Sequence, residues 1–133
     1  MRKEINVARL KTKGPTDREL TILGILWDMG PSTVREVNKA MNKDRPTGYT
    51  TTLKLMQIMA EKGLLVRDES ERRHVYRANV AEERMQKQLV GEMLERVFSG
   101  SAEKLVMRAL SAKKVSAKEL AKIRKMVDEF GGK

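Results

Sequence analysis

The spacing of apolar residues changes twice along this chain, and the order of the changes limits the folds that it can adopt. Between Thr16 and Gly63 apolar residues recur every three or four positions, which is typical of amphipathic helices. Residues 64–67 and 74–77 are short runs rich in Leu, Val and Tyr around a polar tip, which predicts a β-hairpin. Helical spacing returns at Asn79 and continues towards the end of the chain. We therefore expect three helices, a hairpin and a further set of helices, in that order.

Start and stop signals divide the helical stretches. Thr-x-x-Glu motifs at residues 16–19 and 33–36 are capping boxes, in which the two side chains satisfy free backbone groups at a helix start. The spacing predicts a third helix over residues 49–62, closed by Gly63. An Asn-x-x-Glu pair at residues 79–82 predicts the start of the fourth helix.

Three helices followed by a hairpin is the order of a winged helix-turn-helix, whose third helix enters the major groove of DNA. The predicted fold class is therefore mainly α with a small β-hairpin wing (α+β). We expect a basic flexible arm over residues 1–13 and a winged helix-turn-helix DNA-binding domain over residues 14–79. A helical dimerisation domain is expected over residues 80–133.

The charge of the chain indicates the class of partner. It has 28 Lys+Arg against 18 Asp+Glu, which gives a formal net charge of +10. A small protein with this excess tends to bind polyanions such as nucleic acid. The charge therefore favours nucleic acid, with an inert basic surface as the alternative.

The composition excludes several kinds of chemistry. There is no Cys, so disulfides, thiolate metal sites and thiol catalysis are excluded, and a single His excludes a multi-histidine metal site. The chain has no run of about 18 apolar residues and no signal-peptide pattern, so we expect a cytoplasmic protein without membrane insertion. Because no phosphate-binding glycine loop or nucleophile motif is found, we expect no enzymatic activity and no cofactor.

The predicted third helix carries polar side chains of the kind that base reading requires. Hydroxyl, amide and ammonium groups can hydrogen-bond base edges in the major groove. The candidates on the outward side of this helix are Thr50, Thr51, Lys54 and Gln57. Arg45 and Tyr49 are expected to seat the helix on the DNA backbone. The hairpin carries Arg67, Arg72, Arg73, His74 and Arg77, and a wing of this kind neutralises phosphates. The residues chosen as its phosphate contacts are Arg72, Arg73 and Arg77. A solvated helix face is the alternative, and the hairpin that follows makes it the less favoured one.

The helices after the hairpin have apolar stripes that one small chain cannot easily hide. Helices this short need tertiary packing to be stable. Their stripe residues are Leu89, Met93, Val97, Leu105, Leu120, Ile123 and Val127. A second copy can cover them, and a two-fold dimer would place two recognition helices on an inverted-repeat operator. Packing of the tail onto the wing domain of the same chain is the alternative.

Several segments, taken as a set, resemble the BlaI/MecI penicillinase-repressor family. They are Leu20–Trp27, Gly30–Val37, Tyr49–Leu53, Glu61–Leu64 and Val97–Ser101, together with Arg72 and Tyr76. The resemblance spans about residues 14–125. It implies a homodimeric winged-helix repressor that binds double-stranded DNA at an inverted-repeat operator and blocks transcription. It also implies a membrane sensor-protease as a partner, which triggers cleavage of the dimerisation domain.

This chain departs from the family pattern at two positions. Members that are cleaved in this way are cut between an Asn and a Phe in the helix after the Gly-Ser segment, where this chain has Arg108-Ala109. The residue before the matched wing arginine is usually small, and here it is Glu71. The copper-responsive branch of the family uses paired C-terminal cysteines, which this chain lacks, so that form of metal sensing is excluded.

We therefore predict a DNA-binding transcriptional repressor that is released by a signal-dependent mechanism such as proteolysis. One alternative is a protein-interaction adaptor on a winged-helix scaffold, which would lack salt-dependent DNA binding. Another is a transcriptional activator. RNA binding is less favoured because it needs stacking aromatic side chains on an open surface, and the few aromatic residues mostly lie on packing stripes.

Overall fold

The computed structural model describes residues 14–132, and the predicted basic arm at residues 1–13 lies outside the described part of the chain. In chain order the described elements are α1 (Asp17–Met29), β1 (Ser32–Thr33), α2 (Val34–Asp44), α3 (Tyr49–Glu61), β2 (Leu65–Asp68), β3 (Val75–Ala78), α4 (Glu82–Arg96), α5 (Ala102–Ala112) and α6 (Ala117–Gly131). The fold is mainly helical with one small antiparallel sheet, which confirms the predicted fold class.

Both Thr-x-x-Glu motifs form capping boxes, and these fix where α1 and α2 begin. At α1 the Thr16 hydroxyl accepts a hydrogen bond from the Glu19 amide at 3.2 Å, and the Glu19 carboxylate accepts one from the Thr16 amide at 2.9 Å. Thr33 and Glu36 repeat this arrangement at α2, again with distances of 3.2 and 2.9 Å. Two otherwise free amides are thus satisfied at each helix start, as the sequence predicted.

The predicted hairpin is confirmed, but the sheet has a third strand that the sequence did not indicate. The strand order is β1-β3-β2, and both pairs are antiparallel. β2 pairs with β3 so that Arg67 lies opposite Tyr76, and β1 pairs with the other edge of β3 so that Ser32 also lies opposite Tyr76. A two-residue strand is too short to show an alternating pattern in the sequence, so only its distant partner reveals it.

The core of the first part of the chain lies between α1, α2, α3 and the sheet. Its buried apolar side chains are Ile22, Leu23, Leu26, Val34, Val37, Met41, Met56, Met59, Leu65, Tyr76 and Met85. Trp27 packs against this cluster, and its indole Nε1 donates a hydrogen bond to the Val80 carbonyl at 2.9 Å. Trp27 is therefore a core residue that also fixes the segment after β3.

The described chain divides into two compact units, and the boundary lies inside α4, between Val90 and Gly91. The sequence placed a domain boundary earlier, between residues 79 and 80. The difference arises because Met85 is buried in the first core and Leu89 packs against it. The first two turns of α4 thus belong to the winged-helix unit by packing.

α4 also begins later than the sequence predicted. Asn79 does not cap the helix, which starts at Glu82. The Asn79 side-chain amide instead donates a hydrogen bond to the Gly63 carbonyl at 2.9 Å, and its backbone amide donates to the Leu64 carbonyl at 2.8 Å. The predicted cap was wrong, because a partner from the turn after α3 takes the side chain.

Serine caps begin both helices of the second unit. Ser101 accepts a hydrogen bond from the Lys104 amide at 3.2 Å at the start of α5, and Ser116 accepts one from the Glu119 amide at 3.1 Å at the start of α6. Within residues 102–131, no side chain of either helix is buried. These helices therefore have defined starts but no buried core contact in a single chain.

Candidate nucleic-acid interface

Hydrogen bonds from α2 hold the turn that leads into α3. The Asn38 side-chain amide donates to the Thr47 carbonyl and to the Thr52 hydroxyl, both at 2.9 Å. The Asn42 side chain accepts from the Thr47 amide at 2.9 Å and donates to the Thr47 carbonyl at 3.0 Å. Thr52 is fully buried, so its hydroxyl needs a partner inside the fold. The turn is therefore a fixed connection that sets the position of α3 against α2.

An ion pair fixes the other end of α3. The Lys62 ammonium, just after the helix, lies 2.9 Å from the carboxylate of Glu19 at the start of α1, and Glu19 is only 2% exposed. Burial opposes ionisation of this carboxyl and is the largest single influence on it. Hydrogen bonds from Lys62 and Thr16, with the charge of Lys62, together outweigh burial and lower the pKa of Glu19. The ionised carboxylate therefore ties α1 to the end of α3.

One side of α3 faces away from the core. All the residues that the sequence proposed for this helix are exposed: Tyr49, Thr50, Thr51, Lys54 and Gln57. The opposite side carries the buried side chains of Thr52, Met56 and Met59. The exposed side thus presents hydroxyl, ammonium and amide groups, which are the types that hydrogen-bond base edges.

An open groove of about 440 Å³ lies between α3 and the hairpin, and we call it the wing groove. Its basic lining residues are Arg35 of α2, Arg67 of β2, and Arg72, Arg73 and His74 at the tip of the hairpin. Tyr49 and Gln57 line it from α3. No Asp or Glu is among its lining residues. The wing groove is therefore a positively charged recess next to the exposed side of α3.

The structure brings together some, but not all, of the residues proposed from the sequence. The four that meet in the wing groove are Tyr49, Gln57, Arg72 and Arg73. Arg45 is exposed in the turn before α3 and lines a separate small cleft. Arg77 follows the buried Tyr76 along β3, so it points to the other face of the sheet. The roles of all these residues in binding stay predictions.

Two arginines of the wing groove were not chosen as DNA contacts: Arg67, which was noted only as a basic residue of the hairpin, and Arg35, which was not considered. Arg67 lies two residues after the buried Leu65 and opposite Tyr76, on the inner face of the sheet. A hydrogen bond to the Tyr76 side chain, followed by the charge of Glu69 at 3.5 Å, raises the pKa of Arg67. The spacing of residues 65 and 67 was a usable signal in the sequence. Arg35 had none, because its place depends on how α2 packs beside the hairpin.

The proposed dimerisation residues differ in exposure. Leu89 is half-buried and packs against the core of the first unit. The other half-buried ones are Val97, Leu105, Leu120 and Ile123. Met93 and Val127 are 49% and 59% exposed, and Phe130 at the end of α6 is 83% exposed. One chain therefore leaves large parts of these stripes uncovered, whereas Leu89 already has partners in its own unit.

Neither a metal-binding cluster nor a membrane-spanning helix is found between residues 14 and 132. Between residues 14 and 132, no group of three or more His, Asp or Glu side chains is arranged to hold a metal ion. In the same range, no helix combines the length and the apolar character needed to cross a bilayer.

Three helices and a small sheet, with the third helix exposed beside a basic hairpin, define a winged-helix protein. A family model described as penicillinase repressor matches residues 15–129. The chain therefore belongs to the penicillinase repressor family, which is a family of transcriptional regulators. The family resemblance drawn from the sequence is confirmed.

A curated relative matches this chain over only part of its length. A transcriptional regulator BlaI from Mycobacterium tuberculosis is 34% identical over 61 residues, which are 45% of this chain and 44% of that protein. The match thus spans less than half the length of this curated relative.

Solved structures share the architecture across most of the chain. A MarR family protein from Bacillus stearothermophilus has a TM-score of 0.55 at 18% identity, covering 94% of this chain and 79% of that one. A mutant MarR from E. coli complexed with operator DNA has a TM-score of 0.51 at 13% identity, covering 91% of this chain and 79% of that one. At these identities the likeness shows the fold alone.

Proposed function

We propose that this chain is a transcriptional repressor that binds double-stranded DNA at an inverted-repeat operator as a homodimer. The observation that carries the proposal is the exposed side of α3, where Thr50, Thr51 and Lys54 lie on the helix that borders the wing groove. Base edges are read by hydrogen-bonding side chains on a helix in the major groove, and basic side chains beside it neutralise phosphates. The first unit supplies both kinds of group.

The homodimer is supported by apolar side chains that one chain leaves exposed. Those of the second unit that are large and at least 45% exposed are Met93, Val106, Met107, Met126, Val127 and Phe130. Exposed apolar patches of this kind mark interaction sites. A second copy would cover the same face on both chains at once, because a two-fold interface is self-complementary. Since Leu89 packs within its own unit, we place the interface on the stripes from Met93 onward.

Release from the operator is proposed to depend on a signal that separates the two DNA-binding heads, such as a cut in the second unit by a sensor-protease. Arg108 and Ala109, which align with the cleavage position of other family members, are exposed on α5. A protease that cuts at this position would have to accept Arg in place of Asn. Each head would then keep only the weak affinity of a single half-site, because the effective concentration supplied by the second head is lost.

The test begins with selection of DNA by the full chain from a random duplex library. We expect the selected sequences to share an inverted repeat, with half-sites one helical turn of about 10 base pairs apart, or a multiple of it. Affinity for the selected duplex should fall steeply with salt, because neutralised phosphates release counterions. Transcription in vitro from a promoter that overlaps this duplex should decrease when the protein is added.

Each expected result has a contrary one. Absent or salt-insensitive DNA binding would favour a protein-interaction adaptor on a winged-helix scaffold. Increased transcription would identify an activator. Selection of a single half-site without a repeat would contradict binding as a two-fold dimer.

A further inference from the structure

The wing groove contains two arginines that the proposed function has not used, Arg35 and Arg67. We propose that the wing groove binds a phosphate of the DNA backbone, held by these two guanidinium groups between α3 and the hairpin. This inference rests on the proposed function, since the phosphate belongs to the duplex that α3 would read. It adds a defined backbone contact to that function and assigns it to residues of α2 and β2.

The charges around the wing groove favour an anion. Within residues 14–132, no carboxylate lies within 4.0 Å of the guanidinium groups of Arg35, Arg72 or Arg73. Arg67 has Glu69 at 3.5 Å, and both side chains are more than a third exposed. The charge of Arg73 acts on Glu36, but that carboxylate already caps α2. Four like charges around one recess repel one another, so an anion in the recess lowers the energy of the group.

The elements that carry Arg35 and Arg67 are held in place by the fold. Arg35 lies in the first turn of a helix that is fixed by a capping box. Arg67 lies on a paired strand opposite Tyr76, which is 1% exposed. A guanidinium fork matches two oxygens of a phosphate, and it gains most when its backbone is already held in place. Arg72 and Arg73 lie on the hairpin tip instead, so the defined site is the one made by α2 and β2.

The position of the groove favours a duplex phosphate over a free anion. Tyr49 and Gln57 line the groove from α3, and the same helix carries Lys54 on its exposed side. A helix that lies in the major groove has a sugar-phosphate strand along each side of it. A basic recess that runs beside such a helix therefore lies where one of those strands passes.

The test measures how affinity for a mixed-sequence duplex of about three helical turns depends on salt. The slope of log K against log salt is negative, and each lost phosphate contact reduces its magnitude by about 0.9. We expect Arg35→Ala and Arg67→Ala each to reduce the magnitude of the slope by about this amount per bound head, and to weaken binding on all sequences alike. The matched control is Arg84→Ala, which removes an exposed arginine of α4 in the same unit and should leave the slope unchanged.

Charge-conserving variants test whether the positive charge is what matters, and inorganic phosphate tests whether the site binds a free anion instead of a duplex phosphate. Arg35→Lys and Arg67→Lys keep the charge, so they should restore most of the slope, and thermal unfolding of every variant checks that it is folded. Unchanged slopes in both alanine variants, or an equal loss in Arg84→Ala, would overturn the proposal. A third result would also overturn it. In that case inorganic phosphate stabilises the free wild-type protein and Arg35→Ala abolishes this stabilisation, but the salt slope of Arg35→Ala for DNA stays that of the wild type. If the wild-type chain binds no duplex at all, the proposed function fails, and this inference fails with it.

Discussion

Substitution of Lys54 tests whether α3 reads bases, as proposed, or only neutralises phosphate charge. The Lys54 side chain is exposed, one turn after Thr50 and on the same side of the helix. A side chain that hydrogen-bonds a base edge contributes about 1–3 kcal/mol of discrimination against the wrong base. We expect Lys54→Ala to lower affinity for the selected operator by about tenfold or more, and affinity for random duplex much less. Fluorescence anisotropy with both duplexes at one salt concentration measures this.

The control for Lys54 is Lys39→Ala, which removes an exposed lysine of α2 that does not line the wing groove. Lys39→Ala should leave the ratio of operator affinity to random-duplex affinity nearly unchanged. An equal loss on operator and random DNA in Lys54→Ala would assign this lysine to the backbone and leave base reading to its neighbours.

Glu19 makes the stability of the first unit depend on pH. Its pKa is lowered in the folded chain, whereas a glutamate in the unfolded chain has a pKa of about 4.3. The bonds of the ionised carboxylate therefore stabilise the fold fully above that pH, and this stabilisation is lost as the pH falls through the folded pKa. We expect Glu19→Gln to lower the free energy of unfolding by about 1–2 kcal/mol near neutral pH, because the bond to Lys62 is lost.

Urea unfolding over a series of pH values tests this. The difference between wild type and Glu19→Gln should shrink as the pH is lowered, since the wild-type carboxylate becomes protonated as well. Glu61→Gln, which changes an exposed carboxylate of α3, is the control and should stay close to the wild type throughout. A constant difference between Glu19→Gln and wild type across the acid range would contradict the role of the ionised pair.

The turn that joins α3 to β2 uses a backbone conformation that side chains disfavour. Gly63 has a φ of 83°, and the amides of Gly63 and Leu64 donate to carbonyls in the last turn of α3 at 3.1 and 2.9 Å. An added Cβ would meet no atom within 4 Å, so the cost of a substitution lies in the backbone alone. We expect Gly63→Ala to destabilise the fold by about 1–2 kcal/mol. Gly24→Ala, inside α1 and also free of contacts, should instead stabilise it by about 0.5–1 kcal/mol.

Thermal unfolding of the two glycine variants gives the comparison. The same methyl group is added in both, and only the local backbone differs. Shifts of Tm with opposite signs are expected, and a stabilised Gly63→Ala protein would show that this turn does not require the left-handed conformation.

These elements also show which parts of the fold local sequence can predict. The capping boxes at Thr16 and Thr33 and the stop at Gly63 were predicted, because each signal lies within a few residues of the feature that it controls. β1 and the partner of Asn79 were not predicted, because both depend on residues far along the chain. A local pattern carries no record of such a partner.

The candidate site divides in the same way. The exposed side of α3 followed from helical spacing, because the buried positions of one helix determine its outward positions. The wing groove did not follow, since it exists only when α2, α3 and the hairpin are packed together. Arg35 is the clearest case: it is one basic residue among many in the sequence, and only the packing places it beside Arg67.

Across the whole molecule, the two units have different requirements for stability. Between residues 14 and 90, the first has a buried core of eleven apolar residues, so it has core contacts of its own. The second has two helices without a single buried side chain between residues 102 and 131, and helices of this length are marginal unless a face is covered. In the proposed homodimer, a second copy would stabilise the second unit and, by the same contacts, would couple two DNA-binding heads.

Ile123→Asp separates these two effects. A carboxylate in the apolar stripe of α6 is costly to bury, so we expect monomers in sedimentation velocity at concentrations where the wild type is dimeric, and the same result for Leu120→Asp. Affinity for the full inverted repeat should fall by about a hundredfold or more, because the tether between heads is lost. Affinity for a duplex with a single half-site should stay at the wild-type value, since the substitution leaves the first unit intact.

The control is Ala121→Asp, which adds the same charge at an exposed position on another side of α6 and should remain dimeric. If both stripe variants stayed dimeric, α6 would be excluded from the interface. If they became monomers but kept wild-type affinity for the inverted repeat, the dimer contacts would contribute nothing to operator binding, and the two units would act independently.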